Sequence, residues 1–139
     1  MDPAAARTEL LAQHHALRHH LRAVRAAALA AAGEDHLISA LAELSVALTE
    51  HNAAEEALLA PLLPDTDAFG EVRLARMRTE HAQEHGAIIA FLERPLDQVV
   101  AGLDDFVEQI LAHMDAEERT FLHPNVLRDD LVTVDHAGA

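Results

Sequence analysis

The sequence contains no cysteine, lysine, tyrosine or tryptophan among its 139 residues. The absence of cysteine excludes disulfides, thiolate metal sites and cysteine nucleophiles, so any metal must be held by histidine and carboxylate side chains. Four phenylalanines are the only large aromatic residues, and alanine and leucine dominate, which favours helices over sheets. No apolar run is long enough to span a membrane.

Acidic residues far outnumber basic ones, and the formal net charge is −14. This charge argues against binding to nucleic acid or to an anionic membrane, because the phosphates would be repelled. The opening segment is acidic and lacks the apolar region of a signal peptide, so we expect a cytoplasmic protein. The sequence indicates no particular protein partner and does not determine an oligomeric state.

Helical periodicity extends over four long stretches, and each of them ends near a glycine or a proline. The predicted helices cover about 5–31, 35–62, 71–93 and 97–122. Short connections make consecutive helices antiparallel neighbours, so the sequence predicts an all-α, up-down-up-down antiparallel four-helix bundle.

The chain is one domain by its length. We expect this domain to cover residues 1–126, followed by a polar C-terminal tail over 127–139.

Eleven histidines are the unusual feature of the composition. Several of them, together with glutamates, interrupt the apolar stripes that face inward in each helix, and counting from the connections places them in one layer of the bundle. The polar positions on these stripes are His14, His51, Glu55, His81, His85 and His113. The remaining histidines that we expect to be solvated are His15, His19, His20, His36 and His136.

So many buried polar groups would be costly without a compensating ion. Imidazole and carboxylate without sulfur suit iron, manganese or zinc, and the candidates outnumber the ligands of one tetrahedral zinc. Two metals bridged by carboxylates would use them all. Ferritin-like di-iron bundles are disfavoured, because no histidine has a glutamate three residues before it.

Two segments repeat one pattern: "HNAAEEALLAPLL" at 51–63 and "HMDAEERTFLHP" at 113–124. Each begins with histidine, reaches a pair of glutamates and ends in an apolar run with a proline. Together with "QHHALRHHL" in the first helix and the His-x3-His of the third, they resemble the hemerythrin-like family, whose domain is called the hemerythrin HHE cation-binding domain. The resemblance extends from about residue 10 to 126.

The resemblance implies a set of metal ligands contributed by all four helices. They are His14, His51, Glu55, His81, His85, His113 and a carboxylate of the fourth helix, Glu118 or alternatively Glu117. Glu118 is preferred because it lies six residues before Pro124, as Glu55 lies six before Pro61. His85 has a second interpretation, as a residue of the ligand pocket instead of a metal ligand.

The resemblance also implies two irons with an oxo or hydroxo bridge, with zinc or manganese as possible substitutes. The expected function is to bind oxygen or nitric oxide for sensing, storage or detoxification. A second hypothesis is a di-iron oxidoreductase that reduces nitric oxide or decomposes peroxide. A third is binding or sensing of iron or zinc without redox turnover. The sequence leaves open whether the protein is an enzyme.

Overall fold

A computed structural model describes residues 1–30 and 33–128 of the chain. It contains four long helices: α1 (Pro3–Leu29), α2 (Glu34–Leu59), α3 (Gly70–Leu92) and α4 (Leu96–Arg119). A single 3-10 turn, Leu63–Asp65, lies between α2 and α3. The predicted all-α four-helix bundle is confirmed, and the described residues include no strand.

Local sequence explains where the helices begin. The Asp2 carboxylate accepts a hydrogen bond of 2.9 Å from the backbone N–H of Ala5, and Pro3 occupies a position where its missing N–H costs nothing. Gly33, with φ of 96°, precedes α2 in a conformation that other residues rarely adopt. Pro95 separates α3 from α4 and forces the chain to turn.

Helix α1 packs against both α2 and α4, and α2 packs against α3. Arg25 of α1 reaches Asp104 and Glu108 of α4, each at 3.1 Å. Phe91 of α3 stacks on Phe106 of α4 with ring centroids 4.3 Å apart, which closes the bundle.

The apolar core consists of two separate clusters. One contains Leu17, Leu48 and Ile110, and the other contains Leu10 and Leu59. In α1 and α2 the chain passes from one cluster to the other through a buried polar segment, which is where the sequence predicted the polar layer. The bundle therefore holds a layer of histidine and glutamate between two apolar layers.

Helices α2 and α4 each end three residues earlier than expected, because the chain turns before Pro61 and Pro124 are reached. The predicted end of the first helix at Ala31 lies outside the described residues, as does the tail from 129 to 139. Leu127, which begins the expected tail, is buried in the second apolar cluster. None of the described helices combines the length and the apolar character that crossing a bilayer requires.

Candidate metal centre

His14 lies on the inner face of α1, one turn from Leu10 and one from Leu17, and its side chain is fully buried. Neither of its ring nitrogens has a hydrogen-bond partner among the described residues. Its ring meets that of His51 edge-on, with centroids 4.8 Å apart. A buried imidazole with both nitrogens unsatisfied is costly, and a bound ligand would remove that cost.

His51 and Glu55 lie one turn apart on the inner face of α2, and both are buried. His51 Nδ1 donates a hydrogen bond of 2.8 Å to Gln13 Oε1, which fixes the ring and leaves Nε2 facing Glu55 Oε2 at 2.8 Å. Unless the ring is also protonated on Nε2, the lone pair of this nitrogen faces a lone pair of the Glu55 carboxylate. A cation between them would turn this repulsion into attraction.

His81 of α3 and His113 of α4 approach the same carboxylates from the opposite side. His81 Nε2 lies 3.2 Å from Glu55 Oε1, the oxygen that does not face His51. His113 Nε2 contacts Glu117 Oε1, and its Nδ1 contacts Glu84 Oε2. The pairing of His113 with Glu84 is the carboxylate–histidine arrangement that orients and polarises metal ligands.

The side chains form two groups that share one member. In one group the candidate ligand atoms of His14, His51, Glu55 and Glu117 all lie within 4.8 Å of one another. In the other group the candidate ligand atoms of His81, His113 and the same Glu117 also lie within 4.8 Å of one another. Either group could hold a metal ion, and Glu117 belongs to both.

Burial and proximity shift the pKa values of these groups strongly. Burial and the charge of His51 lower the pKa of His14 to about 4, so this imidazole is neutral near pH 7. Burial alone would raise the pKa of Glu55, but hydrogen bonds with Glu117, His51 and His81 bring it far below its usual range.

The opposite shifts are found on the α4 side of the centre. Burial, together with the hydrogen bond to Glu55, raises the pKa of Glu117 to about 9. Burial alone would lower the pKa of His113, but hydrogen bonds with Glu117 and Glu84 raise it to about 10. Two carboxylates in contact cannot both ionise easily, because their negative charges repel each other. A cation bound between them would offset this repulsion.

The residues present fit a metal ion. Buried polar atoms that lack a hydrogen bond of good geometry are concentrated here, and those among the described residues belong to His14, His51, Glu55, Glu84 and Glu117. The donors are imidazole nitrogens and carboxylate oxygens, a set that suits iron, manganese and zinc. Native cores rarely leave so many polar atoms unsatisfied unless something else binds them.

The family model of the hemerythrin HHE cation-binding domain matches residues 5–123 of the chain. The chain belongs to this family. The match includes every histidine and glutamate of the two groups. No curated protein and no solved structure matches the chain.

Most of the metal ligands predicted for this hemerythrin-family chain lie together. The structure brings His14, His51, Glu55, His81 and His113 into the two groups, and the carboxylate of α4 that joins them is Glu117. Glu118, the preferred alternative, lies outside these groups and hydrogen-bonds to Arg18 instead. Glu118 Oε2 is 3.6 Å from His14 Nδ1.

His85 also lies outside the two groups. Its Nδ1 accepts a hydrogen bond of 2.6 Å from the Asn52 side-chain amide. Among the histidines expected to be solvated, His15, His19 and His36 are exposed and His20 is half-buried, while His136 lies outside the described residues.

Sequence reasoning missed the residues that hold the centre from outside. Gln13 precedes His14 and bonds to His51, and Glu84 follows His81 by three positions and reaches across to His113. Neither lies on an inward apolar stripe, so periodicity gave no signal for them. Glu84 could have been found from its i,i+3 spacing to His81.

A small cavity, the inner cavity, adjoins the centre and has a volume of about 20 Å³. Polar and apolar side chains both line the cavity; they are Leu17, Leu48, His51, Asn52, His81, Glu84, His85, Ile88, Ile110, His113, Met114 and Glu117. The volume suffices for one molecule of about the size of water.

Proposed function

We propose that this protein is a non-haem di-iron protein that binds oxygen or nitric oxide for sensing, storage or detoxification. The observation that carries the proposal is a pair of ligand groups joined through Glu117, with a cavity of about 20 Å³ beside them. A site of this kind has the ligands for two ions and space for one diatomic molecule.

Two carboxylates support the assignment of two ions. Glu117 belongs to both ligand groups. Glu55 presents one oxygen to His51 at 2.8 Å and the other to His81 at 3.2 Å, so it also reaches both sides. In this proposal Glu55 and Glu117 would be shared between the two ions, and His14, His51, His81 and His113 would supply the other protein ligands.

Iron is the proposed metal because its redox chemistry suits a site with a cavity for a diatomic ligand. When bound, iron supplies the redox chemistry and the coordination position that a diatomic ligand needs. Leu17, Leu48 and Ile110 give the inner cavity apolar surface, which would limit the entry of water and slow proton transfer to a bound ligand. Zinc with the same residues would support only the third hypothesis, binding or sensing without redox turnover.

His85 is proposed as a residue of the ligand pocket. It lines the inner cavity, and because Nδ1 accepts from Asn52, the neutral ring carries its proton on Nε2. This proton is available as a hydrogen-bond donor. We expect His85→Leu to keep the metal but to release oxygen or nitric oxide faster.

Elemental analysis of the purified protein tests the metal site. We expect about two irons per chain. His51→Ala or Glu55→Ala should remove most of the metal, because each deletes a buried ligand. His19→Ala, an exposed histidine, is the control and should keep it. A content of about one zinc per chain, no metal, or equal losses from all three variants would contradict the proposal.

Optical spectroscopy tests the diatomic ligand. The reduced protein is recorded under anaerobic conditions, then exposed separately to oxygen and to nitric oxide. A spectral change that reverses on degassing supports reversible binding. The absence of any change with either gas would contradict it.

Turnover by the same centre is the second candidate. A larger pocket open to solvent reaches His113 and Glu117, which gives peroxide or nitric oxide a second approach to the centre. Continuous consumption of peroxide or nitric oxide at catalytic rates would favour an oxidoreductase. A stoichiometric reaction that stops after one equivalent would favour the binding protein.

A further inference from the structure

The larger pocket opens between α3 and the C-terminal end of α4, and we call it the arginine pocket. Its volume is about 400 Å³, within the range of pockets that hold small organic ligands. Arg73, Arg76 and Arg119 line its outer part, and His113 and Glu117 belong to its inner wall. Its outer part is therefore distinct from the proposed metal site.

Arginines are concentrated around this pocket, which Glu80 and Glu117 also line, although the chain as a whole is acidic. The chain has ten basic residues and a net charge of −14, yet three of its arginines face this one space. Arg73 is paired with Asp67 at 2.6 Å and Arg76 with Glu80 at 2.9 Å. The Arg119 side chain has neither an ion pair nor a hydrogen bond within the described part of the chain, so its guanidinium is available to an anion.

Part of the remaining wall is apolar, and Glu80, Thr120 and His123 are its polar members. Ala116, Phe121 and Val126 line the pocket beside the arginines, and the lining is more apolar than polar. A guanidinium next to an apolar wall suits a carboxylate with a short apolar body, because the planar fork binds both carboxylate oxygens. An inorganic anion would use the charge but not the wall.

We propose that the arginine pocket is a binding site for a small organic carboxylate, recognised by Arg119 and by the apolar wall of Ala116, Phe121 and Val126. The inference goes beyond the binding of oxygen or nitric oxide and does not depend on which metal the centre holds. A carboxylate bound here would lie against the outer side of His113 and Glu117 and could report on, or alter, the centre.

Calorimetric titration of the purified protein tests the proposal with three probes. Benzoate has the proposed charge and an apolar body, benzamide has the same shape without the charge, and nitrate has the charge without the body. We expect saturable binding of benzoate, with benzamide and nitrate at least about tenfold weaker. No saturable binding of benzoate, or equal binding of benzamide or nitrate, would overturn the proposal.

Variants locate the site. Arg119→Gln should weaken benzoate binding about tenfold, because it removes the unpaired guanidinium. Arg78→Gln is the matched control: Arg78 is an exposed arginine of α3 that faces Glu56 at 3.7 Å and does not line the pocket. Equal weakening by both variants, or none by Arg119→Gln, would overturn the assignment.

A second variant tests the wall independently of the charge. Ala116→Phe should fill part of the pocket and weaken benzoate binding while the net charge stays the same. The metal content of each variant is measured alongside. Unchanged metal with lost benzoate binding supports a separate pocket, and unchanged benzoate binding in Ala116→Phe contradicts it.

Discussion

Two adjacent glutamates of α4 have different surroundings. The Glu117 side chain is 2% exposed and contacts His113, whereas the Glu118 side chain is 28% exposed and hydrogen-bonds to Arg18. Successive residues of a helix are separated by about 100°, so only one of the two can face the bundle axis. Arg18 keeps Glu118 at the α1–α4 boundary, and Asp115 shares the same guanidinium at 3.0 Å.

The first prediction separates these two glutamates. Glu117→Gln should lose most of its bound metal, because the amide is a much poorer bridging ligand than a carboxylate. Glu118→Gln has the same chemical change one residue away and should keep it. Elemental analysis of both proteins measures the difference, and a larger loss from Glu118→Gln would restore the preference drawn from the sequence.

The preference for Glu118 rested in part on a count that the structure does not follow. The count from Glu118 to Pro124 assumes that the helix continues to the proline, but α4 ends at Arg119. Thr120 has φ of −117° and ψ of −90°, so the last residues of the segment are not helical. The apolar stripe, in contrast, placed His14 and His51 correctly in the buried layer, because burial depends directly on helical register.

The second prediction concerns His14 and pH in the metal-free protein. Its folded-state pKa is about 4 against 6.5 when unfolded, so between these values the unfolded chain binds more protons. The free energy of unfolding should therefore fall as the pH decreases from 6.5 to 4, by up to about 3 kcal/mol from this group. Above pH 6.5 this contribution is constant.

Urea denaturation followed by circular dichroism measures the pH dependence of the free energy of unfolding, since the chain has no tryptophan or tyrosine for fluorescence. His14→Leu should lack this part of the pH dependence. His15→Gln, a change at the exposed neighbour, should retain it. Identical pH profiles for the two variants would show that His14 is not the group responsible.

At the start of α3, the backbone of Gly70 lies very close to the backbone of the preceding 3-10 turn. Gly70 is the first residue of α3 and is buried against the 3-10 turn. A Cβ atom at this position would collide with the carbonyl oxygen of Leu63 and lie 2.7 Å from that of Pro64. Backbone atoms cannot move aside as a side chain can, so glycine is required by space.

The third prediction compares two glycines of the same helix. Gly70→Ala should lower the free energy of unfolding by about 2 kcal/mol, because the turn must shift. Gly86→Ala should raise it by about 1 kcal/mol, because an added Cβ meets nothing within 4 Å and alanine favours the helix. Chemical denaturation measures both, and equal effects would contradict the steric argument.

The number and order of the helices followed from periodicity, and the short connections gave their antiparallel arrangement. The structure of the connection between α2 and α3 was harder to predict from the sequence. Its prolines predicted the end of the second helix, but not that Leu63 would be buried or that the turn would contact Gly70. Such contacts arise only when the whole bundle is assembled, so local sequence does not contain them.

At the scale of the molecule, the polar layer divides the apolar core into two clusters. Without a bound cation, the layer contributes unsatisfied donors and acceptors where a bundle of this size would normally gain stability. Metal binding should therefore contribute to folding as well as to function.

The fourth prediction is that removing the metal lowers the melting temperature. With free metal at about 1,000 times its dissociation constant, the folded state gains about 4 kcal/mol, which corresponds to about 14 °C for a chain of this length. Thermal denaturation with iron under anaerobic conditions, and again after chelation, measures the shift. The Glu55→Ala variant is the control and should show little shift.

The centre draws ligands from α1 through to Glu117, two residues before the end of the last helix. If the two groups hold metal as proposed, a ribosome must release nearly the whole bundle before the complete set of donors is present. Metal uptake would then be a late step of biogenesis, and a chain truncated before Glu117 is expected to lack the complete site.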